Sequence, residues 1–224
     1  MNIAVINGQN HRGNTWRAGK ALADELGGKT AEFFLPKDFS DFCIGCGNCF
    51  TKGEEFCPHY SRLKPLTDAM DEADVLIFTS PVYVYHVTGA MKNFLDHCGY
   101  QWIIHRPKPE YFGKQAVLIT TAAGSGTKST LKDMEDSMFF WGIGQVCKLR
   151  FNVHALSPDH VSRDMQEKMT EKIKKTADKI KKNGMRRHSM PLKAKMLFEL
   201  MRKLHAKGSF SEIDNEYWKE HGWI

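Results

Sequence analysis

Four cysteines fall within the fifteen positions of CIGCGNCFTKGEEFC, residues 43 to 57. Thiolates at this density ligate iron or zinc, pair as disulfides, or stay free as nucleophiles. Cys43, Cys46 and Cys49 follow the C-x2-C-x2-C spacing of bacterial ferredoxins, and Pro58 follows Cys57. Four thiolates on one loop suit a [4Fe–4S] cluster. A four-thiolate zinc site usually takes two separated C-x2-C pairs, and here only the interval from Cys49 to Cys57 separates the ligands. Free thiols at the rim of a binding site remain the alternative to a cluster. Cys98 and Cys147 read as buried small hydrophobes. His59, His86 and His97 show no metal-ligand pairing along the chain and read as capping or packing residues.

A second chemical signal is the loop GQNHRGNT, Gly8 to Thr15. It is not G-x-G-x-x-G, because Asn10 breaks the pattern. It nearly matches G-x-x-x-x-G-K-[ST], with Gly8, Gly13 and Thr15 in register, but Asn14 replaces the lysine that holds the β- and γ-phosphates. What remains is a set of backbone N–H groups and short polar side chains feeding a helix N-terminus. Asn14 and Thr15 are suited to cap that helix while donating to one phosphate, and His11 and Arg12 add charge. A single phosphate monoester, as FMN carries, fits this loop.

Two more loops carry related chemistry. In SPVYVYHVTGAMKNF, Pro81 favours the end of a central strand, and Tyr83 and Tyr85 follow at its carboxyl edge. Aromatic walls there suit a planar ring such as isoalloxazine and would shape a nicotinamide or substrate pocket. In TTAAGSGT, residues 120 to 127, small residues allow close backbone approach, and Thr120 or Thr121 offers a hydroxyl.

These loops must be carried by elements that bring them together. NIAVIN, AEFFLP, DVLIFTSPVYVY, KQAVLITTAAG and QVCKLRFNVHA read as strands, each followed by a segment of helical spacing. Five strand–helix alternations predict an α/β fold, a parallel sheet with helices on both faces. Ligands of such sheets bind at the carboxyl ends of the strands, where all three loops would lie. A break at KKNGMRRHSMP separates residues 1–185 from a helical C-terminal extension, residues 186–224. Tyr217, Trp218 and Trp223 make its tail aromatic, so the tail is expected to dock on the core or on a neighbouring subunit.

With 224 residues, 42% hydrophobic and 26% charged, the chain suits one full-sized core with an appendage. MNIAVINGQN has no basic leader, and no window approaches eighteen consecutive apolar residues. A membrane span is therefore not expected, and a reducing cytoplasmic location that disfavours disulfides is. The net charge is +6, with most of the surplus between residues 163 and 207. There Ile173, Ala177 and Ile180 recur at helical spacing between lysines, as an amphipathic helix with a solvated basic face requires. No aromatics interleave with those lysines, so nucleic-acid binding is not expected.

NGQNHRGNT, SPVYVYHVTGAMKNFLDH and TTAAGSG, in this order and spacing, resemble the NAD(P)H-dependent FMN reductase family of the flavodoxin-like superfamily over roughly residues 1–155. The resemblance implies a five-stranded sheet of order 2-1-3-4-5 with FMN at its carboxyl edge. It implies phosphate contacts from Gln9, His11, Arg12, Asn14 and Thr15, and ring contacts from Pro81, Val82, Tyr83, Val84, Thr121, Ala122 and Gly124. The first loop departs from the family's usual G-S-x-R opening: Gln9 stands in place of Ser, and Arg12 comes one position late. Iron–sulfur flavoproteins of the same superfamily carry a C-x2-C-x2-C-x4–7-C motif between the second and third strands, which Cys43, Cys46, Cys49 and Cys57 match.

The expected activity is hydride transfer from NAD(P)H to FMN, then electron transfer to a second small-molecule acceptor such as a quinone or flavin. No catalytic triad is expected, because the cofactor carries the chemistry. Two other readings are an iron–sulfur electron carrier served by ferredoxin and a flavin-sensing module that meets a partner through its basic C-terminal helix. Enzymes resembling this chain are often dimers, which makes a homodimer or larger assembly the expectation.

Overall fold

Short apolar runs become one sheet in the computed structural model, which describes residues 1–184 and 189–224. The strands are β1 Asn2–Asn7, β2 Lys29–Phe34, β3 Val75–Thr79, β4 Gln115–Ala122 and β5 Gln145–Asn152. All neighbours are parallel, and the order is β2-β1-β3-β4-β5. This is the expected flavodoxin-like sheet. The helices are α1 Asn14–Leu26, α2 Asn48–Thr51, α3 Tyr60–Glu72, α4 Gly89–His97, α5 Thr127–Phe140, α6 Arg163–Gly184, α7 Leu192–His205 and α8 Glu212–Glu220.

Because successive strand residues point to opposite faces, each strand feeds two cores. Ile3 and Val5 of β1 pack with Leu22 of α1 and Ile173 and Ile180 of α6. Ala4 and Ile6 pack with Leu66, Met91 and Met134 from α3, α4 and α5. Every residue of β3 and β4 is buried, as strands covered on both faces require. Each fully buried aliphatic contributes about 1.5–3 kcal/mol, which makes the carboxyl edge a rigid platform. In β5 burial alternates: Cys147, Leu149 and Phe151 are inside, while Lys148, Arg150 and Asn152 are exposed. That is the signature of a sheet edge. Cys98 is fully buried, as its apolar surroundings imply.

β3 is shorter than its apolar run. It ends at Thr79, two residues before Pro81 removes a ladder donor, and Tyr83 and Tyr85 belong to a turn. At the C-terminus, Ala194, Phe198 and Met201 of α7 and Trp218 of α8 close a third cluster around Ile103. Trp223 packs edge-on against Phe198 at 4.9 Å, so the aromatic tail rests on the chain's own core. The break expected between residues 185 and 186 lies outside the described residues. Among the described residues no helix is long and apolar enough to cross a membrane.

Candidate functional site

Gly8, directly after β1, donates its N–H to the Thr79 carbonyl at the end of β3 (2.6 Å). A Cβ at Gly8 would sit 2.9 Å from that carbonyl oxygen, so only glycine lets the two strands exit side by side. The Thr88 hydroxyl donates to the Gly8 carbonyl and caps α4 by accepting from the Met91 N–H (3.1 Å). Ser80 and Val82 continue onto β4 by donating to the Ile119 and Thr121 carbonyls, each at 3.0 Å. The three loops therefore meet at one sheet edge.

The start of α1 differs from expectation. Gly13, with extended dihedrals, occupies the cap position and offers no side-chain acceptor. Asn14 and Thr15 are consequently the first helical residues rather than caps. The Asn14 amide donates to the Ala155 carbonyl (3.4 Å), and the buried Thr15 hydroxyl pairs with that of Thr121 at 2.6 Å. The leading N–H groups of a helix have no intrahelical partner, and with the macrodipole they make this end attractive to an anion. His11 and Arg12 are exposed beside it, with the Arg12 guanidinium 5.2 Å from the Trp16 ring centroid.

Gln9 is occupied at both ends of its amide. Its nitrogen lies 3.0 Å from His11 Nε2, and its oxygen accepts from the Tyr83 hydroxyl (2.8 Å). That tie joins the first loop to the second. Tyr83 and His86 exchange backbone hydrogen bonds across a two-residue turn in which Val84 (φ 47°) and Tyr85 (φ 68°) are both left-handed. A β-branched residue in this conformation costs energy, and such strain gathers at ligand-binding sites. Val84 is 92% exposed at the tip. Gly126 underlies the turn: at φ 94° it leaves room for Val82 Cγ1, which a Cβ would approach to 2.6 Å. Pro81 and Val82 are half-buried, Thr121 and Ala122 are buried, and Gly124 is exposed at the end of β4. Thr120 Oγ1 is buried and has no hydrogen-bond partner among the described residues. Half-buried apolar walls beside an anion-attracting helix end suit a phosphorylated planar ligand.

The cysteine loop lies between β2 and α3. Cys43 and Cys46 are exposed, and Cys49 and Cys57 are partly covered. Burial pushes the Cys49 thiol up to about 11, with further rises from negative charge on Cys57, Cys43 and Cys46. A cationic centre beside Cys49 would reverse the effect by stabilising its thiolate. The loop is held from beneath. The Cys43 N–H donates to Asn93 Oδ1 of α4 (3.1 Å), and Asn93 Nδ2 donates to the Asp41 carbonyl (2.8 Å). Buried Arg106 donates to the Cys49 carbonyl, to Glu54 (3.3 Å) and to Asp214 of α8 (2.5 Å). Asp214 also accepts from His105 (2.9 Å). Burial opposes ionisation of Asp214, but the His105 hydrogen bond and the Arg106 charge outweigh it and hold the carboxyl below its usual range.

The ligating atoms of Cys57, His59 and His97 lie within 4.8 Å of one another, a grouping that was not evident along the chain. His97 Nδ1 faces the Asn93 carbonyl (2.8 Å), so its Nε2 is the acceptor for His59 Nδ1 at 3.0 Å. Burial, with His59 nearby, holds the His97 imidazole below its ordinary value despite that carbonyl. His97 also packs edge-on against Phe39, as a packing role requires. His86 pairs with Asp133 at 3.0 Å. Arg106, Asp214 and Asn93 escaped sequence reading because their partners are 50 to 109 positions away and no local pattern marks them.

Residues 1–155 match the family described as NADPH-dependent FMN reductase. Over 227 aligned residues the chain is 26% identical to an iron-sulfur flavoprotein of Archaeoglobus fulgidus, covering 99% of each. It is 27% identical to an NADPH azoreductase of a Bacillus species, covering 62% of this chain and 68% of that protein. The crystal structure of an azoreductase from Bacillus anthracis superposes with a TM-score of 0.61 at 16% identity, covering 80% of this chain and all of the other, which supports the fold.

Proposed function

The chain belongs to the NADPH-dependent FMN reductase family, a family of flavin oxidoreductases, and from that premise we propose that it delivers electrons from NAD(P)H to a small-molecule acceptor such as a quinone or flavin. The observation that carries this reading is the convergence of three loops at one sheet edge, cross-tied by Tyr83–Gln9 and Thr15–Thr121. Bound FMN supplies the redox chemistry, taking hydride and releasing electrons singly or in pairs. The protein's part is to hold and orient.

In this proposal the leading N–H groups of α1, with His11 and Arg12, hold the phosphate. Asn14 and Thr15 contribute through the backbone, because their side chains are engaged elsewhere. Gln9 acts by positioning Tyr83 rather than by meeting the phosphate. Pro81, Val82, Tyr83, Val84, Thr121, Ala122 and Gly124 frame the ring. Tyr83 and Tyr85 shape the space for nicotinamide or acceptor.

A second reading is favoured by the relative that aligns over the whole chain and by the four cysteines carried on one loop between β2 and α3. Cys43, Cys46, Cys49 and Cys57 would then hold a [4Fe–4S] cluster, which supplies single-electron transfer, and ferredoxin would be a natural partner. α8 would brace that loop through Asp214, which pairs with the Arg106 that donates to the Cys49 carbonyl. A reducing cytoplasmic setting and a homodimer or larger assembly belong to the same proposal.

The deciding experiment is an absorption spectrum of protein purified without oxygen, with iron and acid-labile sulfide assayed on the same sample. Two resolved flavin bands without iron support the simple oxidoreductase. A broad brown shoulder with about four irons per chain assigns the loop to a cluster. Absence of flavin after incubation with FMN would remove the main reading.

A further inference from the structure

A groove of about 840 Å³ runs from Tyr85 and Gly126 along α5 to the outer edge of β5. Tyr85 and Leu131 give it apolar walls, and Lys128, Lys132, Lys148 and Arg150 give it charge, opposed by Glu135 alone among the lining residues. The register places Arg150 opposite Thr120 and Lys148 opposite Leu118, so the groove descends from the carboxyl edge. We infer that this groove is the subsite for the phosphorylated adenosine half of NADPH, with Lys128 and Arg150 reading the 2′-phosphate. The inference rests on the reading of the chain as an NAD(P)H-linked enzyme.

Two of the four cations are already committed. Lys148 pairs with Glu135 at 2.8 Å, and Lys132 pairs with Asp136. Lys128 and Arg150 have no ion pair among the described residues, and both are exposed. Lysine and arginine on an edge strand serve to keep other strands from pairing, which accounts for Lys148 and Arg150. It does not account for Lys128 on the facing helix. Two elements contribute free positive charge to one concavity, as recognition of a dianionic phosphate monoester requires.

The groove is also continuous with the flavin-side turn. The Ser129 hydroxyl donates to the Tyr85 carbonyl, and the Ser125 hydroxyl donates to the Tyr85 hydroxyl (3.1 Å). The N-terminus of α5 therefore holds the turn whose Tyr83 faces the first loop. A dinucleotide with its nicotinamide beside Tyr85 directs its adenosine half into this groove. The apolar lining covers a purine, and the free cations meet the group that distinguishes NADPH from NADH.

The test uses the full chain loaded with FMN. Calorimetry compares adenosine 2′,5′-bisphosphate with adenosine 5′-monophosphate, and steady-state kinetics compares kcat/KM for NADPH and NADH. The bisphosphate is expected to bind about tenfold or more tightly than the monophosphate, with a similar preference for NADPH. Lys128→Glu with Arg150→Glu should erase both preferences, and the exposed control Lys179→Glu should erase neither. Equal binding of the two nucleotides by the unaltered protein overturns the inference, as does a double variant that keeps the preference. It is equally overturned if the variants slow only reduction of an acidic protein acceptor, which would make the groove a protein dock. If neither coenzyme reduces the flavin, the hydride-transfer reading fails and the inference falls with it, whereas equal nucleotide binding with reduction intact overturns the groove assignment alone.

Discussion

The loops at the carboxyl edge and the cysteine loop both cluster chemically capable residues, but they are held in opposite ways. At the carboxyl edge, main chain does most of the work. Gly8 bonds Thr79, Val82 bonds Thr121, and a tight turn presents Val84 and Tyr85. The cysteine loop has little regular structure of its own and hangs from distant side chains: Asn93 of α4, and Arg106 with Asp214 of α8. A site built on strand exits inherits the rigidity of the sheet. A site built on buried ion pairs is only as firm as its charges.

Removing Arg106 should therefore break the comparison most severely. Arg106→Ala strands the buried Asp214 carboxylate and frees the Cys49 carbonyl, at a cost of about 3–5 kcal/mol in urea unfolding. Limited proteolysis should then cut within residues 43–57 while FMN affinity changes less than threefold or so. An equal loss of flavin would mean that the two regions are not independently held. Gly126→Ala is the converse and weaker perturbation. Its Cβ would press on Val82 and the Tyr85 backbone, costing about 1–3 kcal/mol and weakening FMN roughly tenfold by fluorescence titration. Cysteine reactivity should stay as it was.

The smallest effect sharpens the contrast within the cysteine loop. The Cys49 thiol, pushed up to about 11, favours its protonated form in the folded state. That preference stabilises the fold fully below the ordinary thiol value and is lost as pH rises through 11. In metal-free protein at pH 8, iodoacetamide should label exposed Cys43 and Cys46 well before Cys49, with labelling followed by peptide mass spectrometry. In the unfolded chain the order should vanish. Equal rates in the folded protein would mean that Cys49 is not covered as described.

Sequence reading recovered what depends on local pattern. Apolar runs yielded all five strands, and alternation with helices implied the parallel sheet. The meeting of three loops at one sheet edge followed from their position after β1, β3 and β4. It misjudged Asn14 and Thr15, because helical capping is decided by one residue's dihedrals, and Gly13 already has them. Nothing local reveals the bond from Tyr83 to Gln9, 74 positions away. The positive lining beside Tyr85 was likewise hidden: Lys128 and Arg150 share a groove only after β4 and β5 pair. The Arg106–Asp214 pair was beyond reach for the same reason.

α4 touches both regions. Thr88 at its cap grips the Gly8 carbonyl, and Asn93, five residues on, fixes the backbone at Asp41 and Cys43. At 1.5 Å of rise per residue, these two grips stand about 7.5 Å apart along the axis. The helix is thus a ruler. The offset between the thiol loop and the sheet edge is written in a count of amino acids, and adding or deleting one residue there would change the spacing and rotate one grip by about 100°.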